Sequence, residues 1–363
     1  MGVAIMSRFA VAKDCVLGSL ETIVAELLQA KQKFRRKSLW NVRNPFRPGS
    51  KEEQMVVWLT GARRGAWKDF VSGDKGDAID LVAFGLQGHV DDGTRMTALE
   101  WIEDRFGLRS MDKGRREQLA AEARAKLKAA EATDQKRRKT SIDRARKFFF
   151  ACHPTVIGTP AAAYLSARNA PIERVPNLGR SLRYRRDCEY WRAEGKPRMP
   201  AMIAAMVDVA GKIGACHYTF LRPDGSDKAV VEKAKLMFPE TSGLVIRLTN
   251  GPSGLSAEDA AAQGVSGICG LVEGIEDGLS AAIAAPDLRM WSCGSLSGFR
   301  SVPDHAAVSG WVVFKDNDWG KRQAQEQFDL AIARLKSFRK PVEVISMPAD
   351  WGKDVNDAIR SGW

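Results

Sequence analysis

The chain has 363 residues, 44% of them hydrophobic and 28% charged, with a formal net charge of +12. That is enough length for two or three domains with separate cores, and the composition is that of a globular protein rather than a fibrous or disordered one. No apolar run approaches the ~20 residues that span a bilayer. Residues 1–12 lack signal-peptide organisation, so a cytoplasmic protein with no membrane association is expected. The six cysteines, Cys15, Cys152, Cys188, Cys216, Cys269 and Cys293, are scattered singly. Without a CxxC pair, neither a disulfide framework nor a structural zinc is expected.

In chain order, residues 20–28 read as an amphipathic helix and 31–37 as a basic turn. A strand at 55–59, a turn at 61–65 and a second strand at 66–71 follow. After a loop at 72–77, one helix begins near Ala78 and another covers 97–105, stopping near Gly107. Residues 112–147 hold 13 Lys/Arg against 6 Asp/Glu, no proline and one glycine. They predict a long, charged, solvated helix that links two domains.

Beyond it, 160–168 predict a helix, and 201–209, 212–221 and 243–248 predict strands, with a turn at 209–212. A basic segment rich in aromatics runs through Arg183, Tyr184, Arg185, Arg186, Tyr190, Trp191, Arg192, Lys196 and Arg198. Such a mixture can pair phosphates and stack bases, although Asp187, Glu189 and Glu194 dilute its charge. Residues 252–267 form a connection. Strands then alternate with helices: strand 268–272, helix 276–285, strands 289–292 and 311–315, helix 319–338, strand 342–347 and helix 354–361. There is no internal repeat.

Acidic residues follow three of these strands: Glu273 after the first, Asp316 and Asp318 after the third, and Asp354 after the last. If the strands are parallel, these acids share the edge where open α/β sheets bind ligands. Gathered carboxylates repel one another unless a hard cation joins them, and Mg²⁺ prefers oxygen ligands and phosphates. Mn²⁺ could take its place. The two-residue spacing of Asp316 and Asp318 on extended chain puts both on one face.

The ordered acids, carried by VEGIEDGLSAAIA (272–284), VFKDNDWGKRQA (313–324) and GKDVNDAI (352–359), resemble the Toprim domain of bacterial primases, topoisomerases and certain nucleases. The resemblance implies an α/β fold with a central parallel sheet over 268–363. It implies Glu273 as general acid/base and metal ligand, Asp316 and Asp318 as the metal-binding pair, and Asp354 as a further acid. Asp277 matches an aspartate often seen in primases, whereas Asn356 stands where many primases carry an acid.

Upstream, RMPAM (198–202) and VDVAGKIG (207–214) look like the strand-turn-strand that precedes Toprim in phage and plasmid primases. Residues 148–267 are therefore expected to form a basic α+β subdomain. KAVVEKAK (228–235) would contribute Lys228, Lys233 and Lys235 to nucleotide phosphates. Arg183, Arg185, Arg186, Trp191 and Arg198 would hold single-stranded DNA, with Tyr184 or Tyr190 also able to stack on it.

GAWKDFVSGDKGDAIDLVAF (65–84) is similar to the N-terminal zinc-binding module of these primases, without its cysteines. Residues 1–111 are thus expected to be a degenerate α+β module. The implied function is a Mg²⁺-dependent DNA primase that uses NTPs or dNTPs and works with a separate replicative helicase. A Toprim nuclease and a non-catalytic DNA-binding accessory protein are the alternatives. A topoisomerase is disfavoured, because only four tyrosines are present.

Overall fold

Two units organise the chain, Met1–Arg137 and Arg138–Trp363. The computed structural model describes residues 2–36, 38–51, 54–317, 322–347 and 349–360.

The first unit opens with α1 (Gly2–Gly18) and α2 (Leu20–Leu27). Strands β1 (Leu39–Val42), β2 (Met55–Trp58), β3 (Trp67–Asp69) and β4 (Lys75–Gly76) then pair antiparallel in that order. Helices α3 (Ala78–Gln87) and α4 (Asp92–Arg105) close it, each started by a capping box in which Asp77 or Asp91 accepts from the third helical N–H. The second cap begins α4 five residues earlier than its apolar pattern suggested. Trp40, Val57, Trp67, Leu81 and Phe84 fill the core between sheet and helices. The strand expected to reach residue 71 stops at Asp69, whose carboxylate accepts the Val71 N–H at 2.8 Å and turns the chain.

Helix α5 (Lys113–Phe150) carries the expected charge on an exposed middle. Its ends are not mere spacer. Ala120 is buried and Arg124 pairs with Asp14 in the first unit, while Ala145 and Phe149 enter a core of the second.

In the second unit, α6 (Pro160–Ala167) precedes an antiparallel sheet of β5 (Leu182–Glu189), β6 (Arg198–Val207), β7 (Ile213–Phe220) and β8 (Lys235–Phe238), in that order. The β6–β7 turn is tied by Asp208, whose carboxylate accepts the N–H groups of Ala210 and Lys212, both at 2.9 Å. The expected strand at 243–248 shrinks to β9 (Ile246–Arg247). Next come α7 (Ala257–Ala262), β10 (Gly267–Val272), α8 (Ile275–Ala284), β11 (Arg289–Ser292), α9 (Leu296–Phe299), β12 (Val308–Lys315), α10 (Arg322–Ser337), β13 (Val342–Ser346) and α11 (Val355–Arg360).

The second sheet has the order β13-β12-β10-β11-β9, parallel except for β9. Its residues alternate between two cores. Cys269, Leu271, Trp311 and Val313 face α10, whereas Val272, Val312 and Phe314 share a core with α8 and α11. That latter core also takes Met202, Ala204 and Met206 from β6, so the antiparallel and parallel sheets share one apolar interior. The opposite face of the antiparallel sheet packs Ala201, Ile203, Cys216 and Phe220 against the end of α5. Burial on both faces explains why β6, β7, β10 and β12 read as near-continuous apolar runs, whereas the edge strand β13 stays largely exposed. All six cysteines are free and buried. Among the described residues, no helix is long and apolar enough to cross a membrane.

Candidate active site

Parallel pairing puts the C-terminal ends of β10, β12 and β13 on one edge, with Leu271 opposite Val313 and Lys315 opposite Ser346. Glu273 and Asp316 leave adjacent strands there. The Glu273 carbonyl accepts Ser292 Oγ at 2.9 Å and the Gly294 N–H at 3.0 Å, which fixes the end of β10 beside β11. Gly274 begins α8 beneath the carboxylate of Asp277. A Cβ at that position would lie 2.1 Å from Asp277 Oδ2, so any larger residue would have to displace that buried carboxylate.

The Asn317 N–H donates to the Lys353 carbonyl at 2.6 Å, which binds the loop after β12 to the residue before Asp354. Asp354 then caps α11 by accepting the Asp357 N–H at 3.0 Å. Burial pushes the Asp277 carboxyl well above the usual carboxylate range, and the charges of Asp354, Asp316 and Glu276 push it further, against Lys235. The edge therefore concentrates negative charge. Oxygen donors that repel one another fit a hard divalent cation. Among the described residues, no three His, Cys, Asp or Glu side chains are arranged to hold a metal ion. Asp318, expected beside Asp316, lies outside the described residues.

A second cluster flanks α8, and its central member is absent from the expected site. Glu276, 8% exposed at its side chain, accepts the Nζ of Lys235 at 2.9 Å. Its other oxygen accepts the Tyr164 hydroxyl from α6. Burial alone would raise the Glu276 carboxyl, but the Lys235 charge and the Tyr164 hydrogen bond outweigh it and hold the group down at about 2. Burial and the Lys235 charge push the buried His217 imidazole down to about 4. Burial, then the charge of Lys235, lowers Lys228. Arg168 reaches Asp227 at 3.4 Å and lies over the Tyr164 ring. Lys228 and Lys235 thus lie close enough for the charge of one to act on the other. Lys233 is exposed, its N–H donating to the Tyr190 hydroxyl at 3.2 Å. Glu276 and Tyr164 are 112 positions apart, and no local pattern announces their contact.

Asn356 is buried and joins the two helices behind the acids. Its amide nitrogen donates to Ser280 Oγ at 2.7 Å and to the Arg168 carbonyl, while its N–H reaches Asp277 Oδ1 at 3.3 Å.

The basic segment is partly committed to the fold. Arg183 donates to the carbonyls of Phe150 and Cys152, both at 3.2 Å, and lies over the Phe149 and Phe150 rings. Arg185 pairs with Asp187 at 2.6 Å, and Arg198 reaches the same carboxylate at 3.4 Å. Arg186 is exposed. Tyr184 and Tyr190, expected to be able to stack on bases, are buried at 8% and 2% exposure, because strand alternation and the packing of Phe220 turn their rings inward. Trp191 is 37% exposed and packs edge-on to Tyr218 at 4.9 Å. It lines a 510 Å³ pocket with Arg144, Phe148, Lys196 and Arg198.

Two family models match the second unit. One, for the Toprim domain, covers residues 268–362. Residues 268–362 are a Toprim domain. The other covers residues 139–248 and describes a domain of unknown function, DUF7146. No curated protein matches the chain. Among solved structures, the chain is similar to the DnaG primase catalytic domain bound to ssDNA, at 12% identity over 64% of this chain and 79% of that one, with a TM-score of 0.37. It is also similar to the E. coli primase catalytic core, at 11% identity over 61% and 75% of the two chains, with a TM-score of 0.37. The RNA polymerase domain of Mycobacterium tuberculosis DnaG in complex with double-stranded DNA gives 16% identity over 61% and 75%, with a TM-score of 0.35.

Proposed function

We propose that this protein is a DNA primase, a DNA-templated nucleotidyltransferase that makes short primers on single-stranded DNA in phage or mobile-element replication. What supports the reading is that Glu273 and Asp316 follow adjacent parallel strands of a Toprim domain, that the Asn317–Lys353 hydrogen bond ties the residue before Asp354 to the loop after Asp316, and that Lys228 and Lys235 act on Glu276 of α8.

Asp316, Asp318, Asp354 and Glu273 would hold Mg²⁺, or Mn²⁺ in its place. When bound, the ion supplies neutralisation of charge on a triphosphate at its reacting phosphorus. Glu273 takes the proton of the attacking 3′ hydroxyl, whose oxygen bonds the α-phosphorus as the bond to the β-phosphate breaks and pyrophosphate leaves. Lys228, Lys233 and Lys235 offset the remaining phosphate charge. Arg183, Arg185, Arg186 and Arg198 steer single-stranded template, with Trp191 available to stack on a base. A separate helicase and a cytoplasmic setting belong to the same reading.

The test is incorporation of labelled NTPs and dNTPs on single-stranded templates, with and without Mg²⁺. Primer synthesis that disappears in Asp316→Asn supports a primase. Phosphodiester cleavage without nucleotides makes the same acids a nuclease centre. DNA binding with neither reaction leaves an accessory protein.

A further inference from the structure

Lys235 comes from the antiparallel sheet, Glu276 from the Toprim helix α8, and Tyr164 from α6. Three separate elements thus meet at one buried carboxylate. Each oxygen of Glu276 has its own partner, Tyr164 on one and Lys235 on the other. The carboxylate is therefore fixed in orientation and charged.

The lysine is not used up by this contact. An ammonium has three donors, and Glu276 engages one oxygen with it. The Lys235 side chain remains 37% exposed, whereas that of Glu276 is 8% exposed. Lys235 also acts electrostatically on Lys228, His217 and Asp277, so its charge is felt by both the neighbouring cation and the carboxyl of α8. A lysine on a flexible stem is ordinarily a poor positioning group, because immobilising it costs rotamer entropy. A buried, doubly held carboxylate removes that freedom before a ligand arrives.

We propose that Glu276 and Tyr164 are positioning residues that hold Lys235 ready for the polyphosphate of the incoming nucleotide. The proposal rests on the nucleotidyltransferase reading for the identity of the ligand. Neither side chain touches substrate; Glu276 acts through Lys235, and Tyr164 acts through Glu276. Glutamine at position 276 keeps an oxygen for the Tyr164 hydroxyl but loses the charge that anchors the lysine. Phenylalanine at 164 removes one hydroxyl and keeps the packed ring.

The test uses the full chain and two readouts. Calorimetric titration with Mg²⁺–ATP and with inorganic tripolyphosphate measures binding without turnover, and steady-state incorporation separates KM from kcat. Glu276→Gln is expected to weaken binding of both probes by about tenfold and raise the nucleotide KM equally, with kcat changed less than about twofold. Tyr164→Phe, the milder change, is expected to weaken binding by about threefold, and single-stranded DNA affinity stays constant in both variants.

Triphosphate binding unchanged in Tyr164→Phe, or a loss confined to kcat in either variant, overturns the proposal. If the wild type binds Mg²⁺–ATP and tripolyphosphate but makes no primer, the primase reading fails while the positioning role stands on the binding data. If the wild type makes primers and both variants bind and synthesise normally, the positioning role fails and the primase reading survives.

Discussion

The side-chain amide of Asn356 donates to Ser280 Oγ at 2.7 Å and ties α11 to α8 behind the acidic edge. The same amide donates to the Arg168 carbonyl, and the Asn356 N–H points to Asp277 Oδ1 at 3.3 Å. A donor is needed here. Asn356→Asp would set a carboxylate against a carbonyl oxygen, close to an already crowded Asp277. The variant is expected to lose about 1–3 kcal/mol of stability, measured by urea unfolding. An unchanged midpoint would mean that asparagine is incidental at this position.

The crowding of Asp277 by Asp354 and Asp316 implies that the metal-free edge carries a repulsive load. Asp316→Asn removes one charge. Without divalent ions this variant is expected to melt above the wild type by a few degrees. With Mg²⁺ the wild type should gain stability by binding linkage and the variant much less. Primer synthesis in the variant should fall by at least about a hundredfold. A wild type whose melting temperature ignores Mg²⁺ at millimolar concentration would contradict this account.

Much of the Toprim region was legible in the sequence because β10 and β12 are short apolar runs followed at once by an acid, and β11 (Arg289–Ser292) falls where its residues predicted. Other elements were hidden for physical reasons. In β5, Leu182 and Tyr184 alternate with Arg183 and Arg185, a strand pattern masked by its charge. Helix α1 buries Ala12 and Val16 against Ile23 and Ile79, but its apolar residues are not confined to one stripe. Glu276 lay inside the motif that carries the Toprim resemblance, yet its role depends on Lys235 and Tyr164, which the fold alone brings near.

In the first unit, Asp69 shows how one buried carboxylate organises the loops around it. Its buried carboxylate accepts Asn44 Nδ2 at 2.9 Å, Arg47 Nη2 at 2.7 Å and the Val71 N–H at 2.8 Å. Burial alone would raise this carboxyl, but the bonds from Val71, Asn44 and Arg47 outweigh it and leave the group below its ordinary value. A depressed folded-state pKa stabilises the fold above the ordinary carboxylate pKa and loses that contribution as pH falls through the folded value. Asp69→Ala is expected to cost about 3 kcal/mol at neutral pH. Hydrogen exchange of the β2 and β3 amides should show the loss, and the variant should be less sensitive to acid than the wild type. Equal acid sensitivity in the two proteins would rule out Asp69 as the titrating group.

Trp191 is the exposed aromatic of the basic segment, whereas Tyr184 and Tyr190 are packed inside. If this face receives single-stranded DNA, Trp191→Ala should weaken binding by about 1–3 kcal/mol, the range for loss of one stacked base. Tyr184→Phe should leave affinity unchanged, since its ring is not available to a base. Arg198→Ala, which removes a cation lining the same pocket as Trp191, should reduce the slope of log affinity against log salt by about 0.7 for one lost phosphate contact. Fluorescence anisotropy of a labelled oligonucleotide across a salt series reads all three variants. Near-ultraviolet circular dichroism guards against loss of the Trp191–Tyr218 packing as a trivial cause. A salt slope unaltered by Arg198→Ala, together with wild-type affinity in Trp191→Ala, would move the DNA path to another face of the protein.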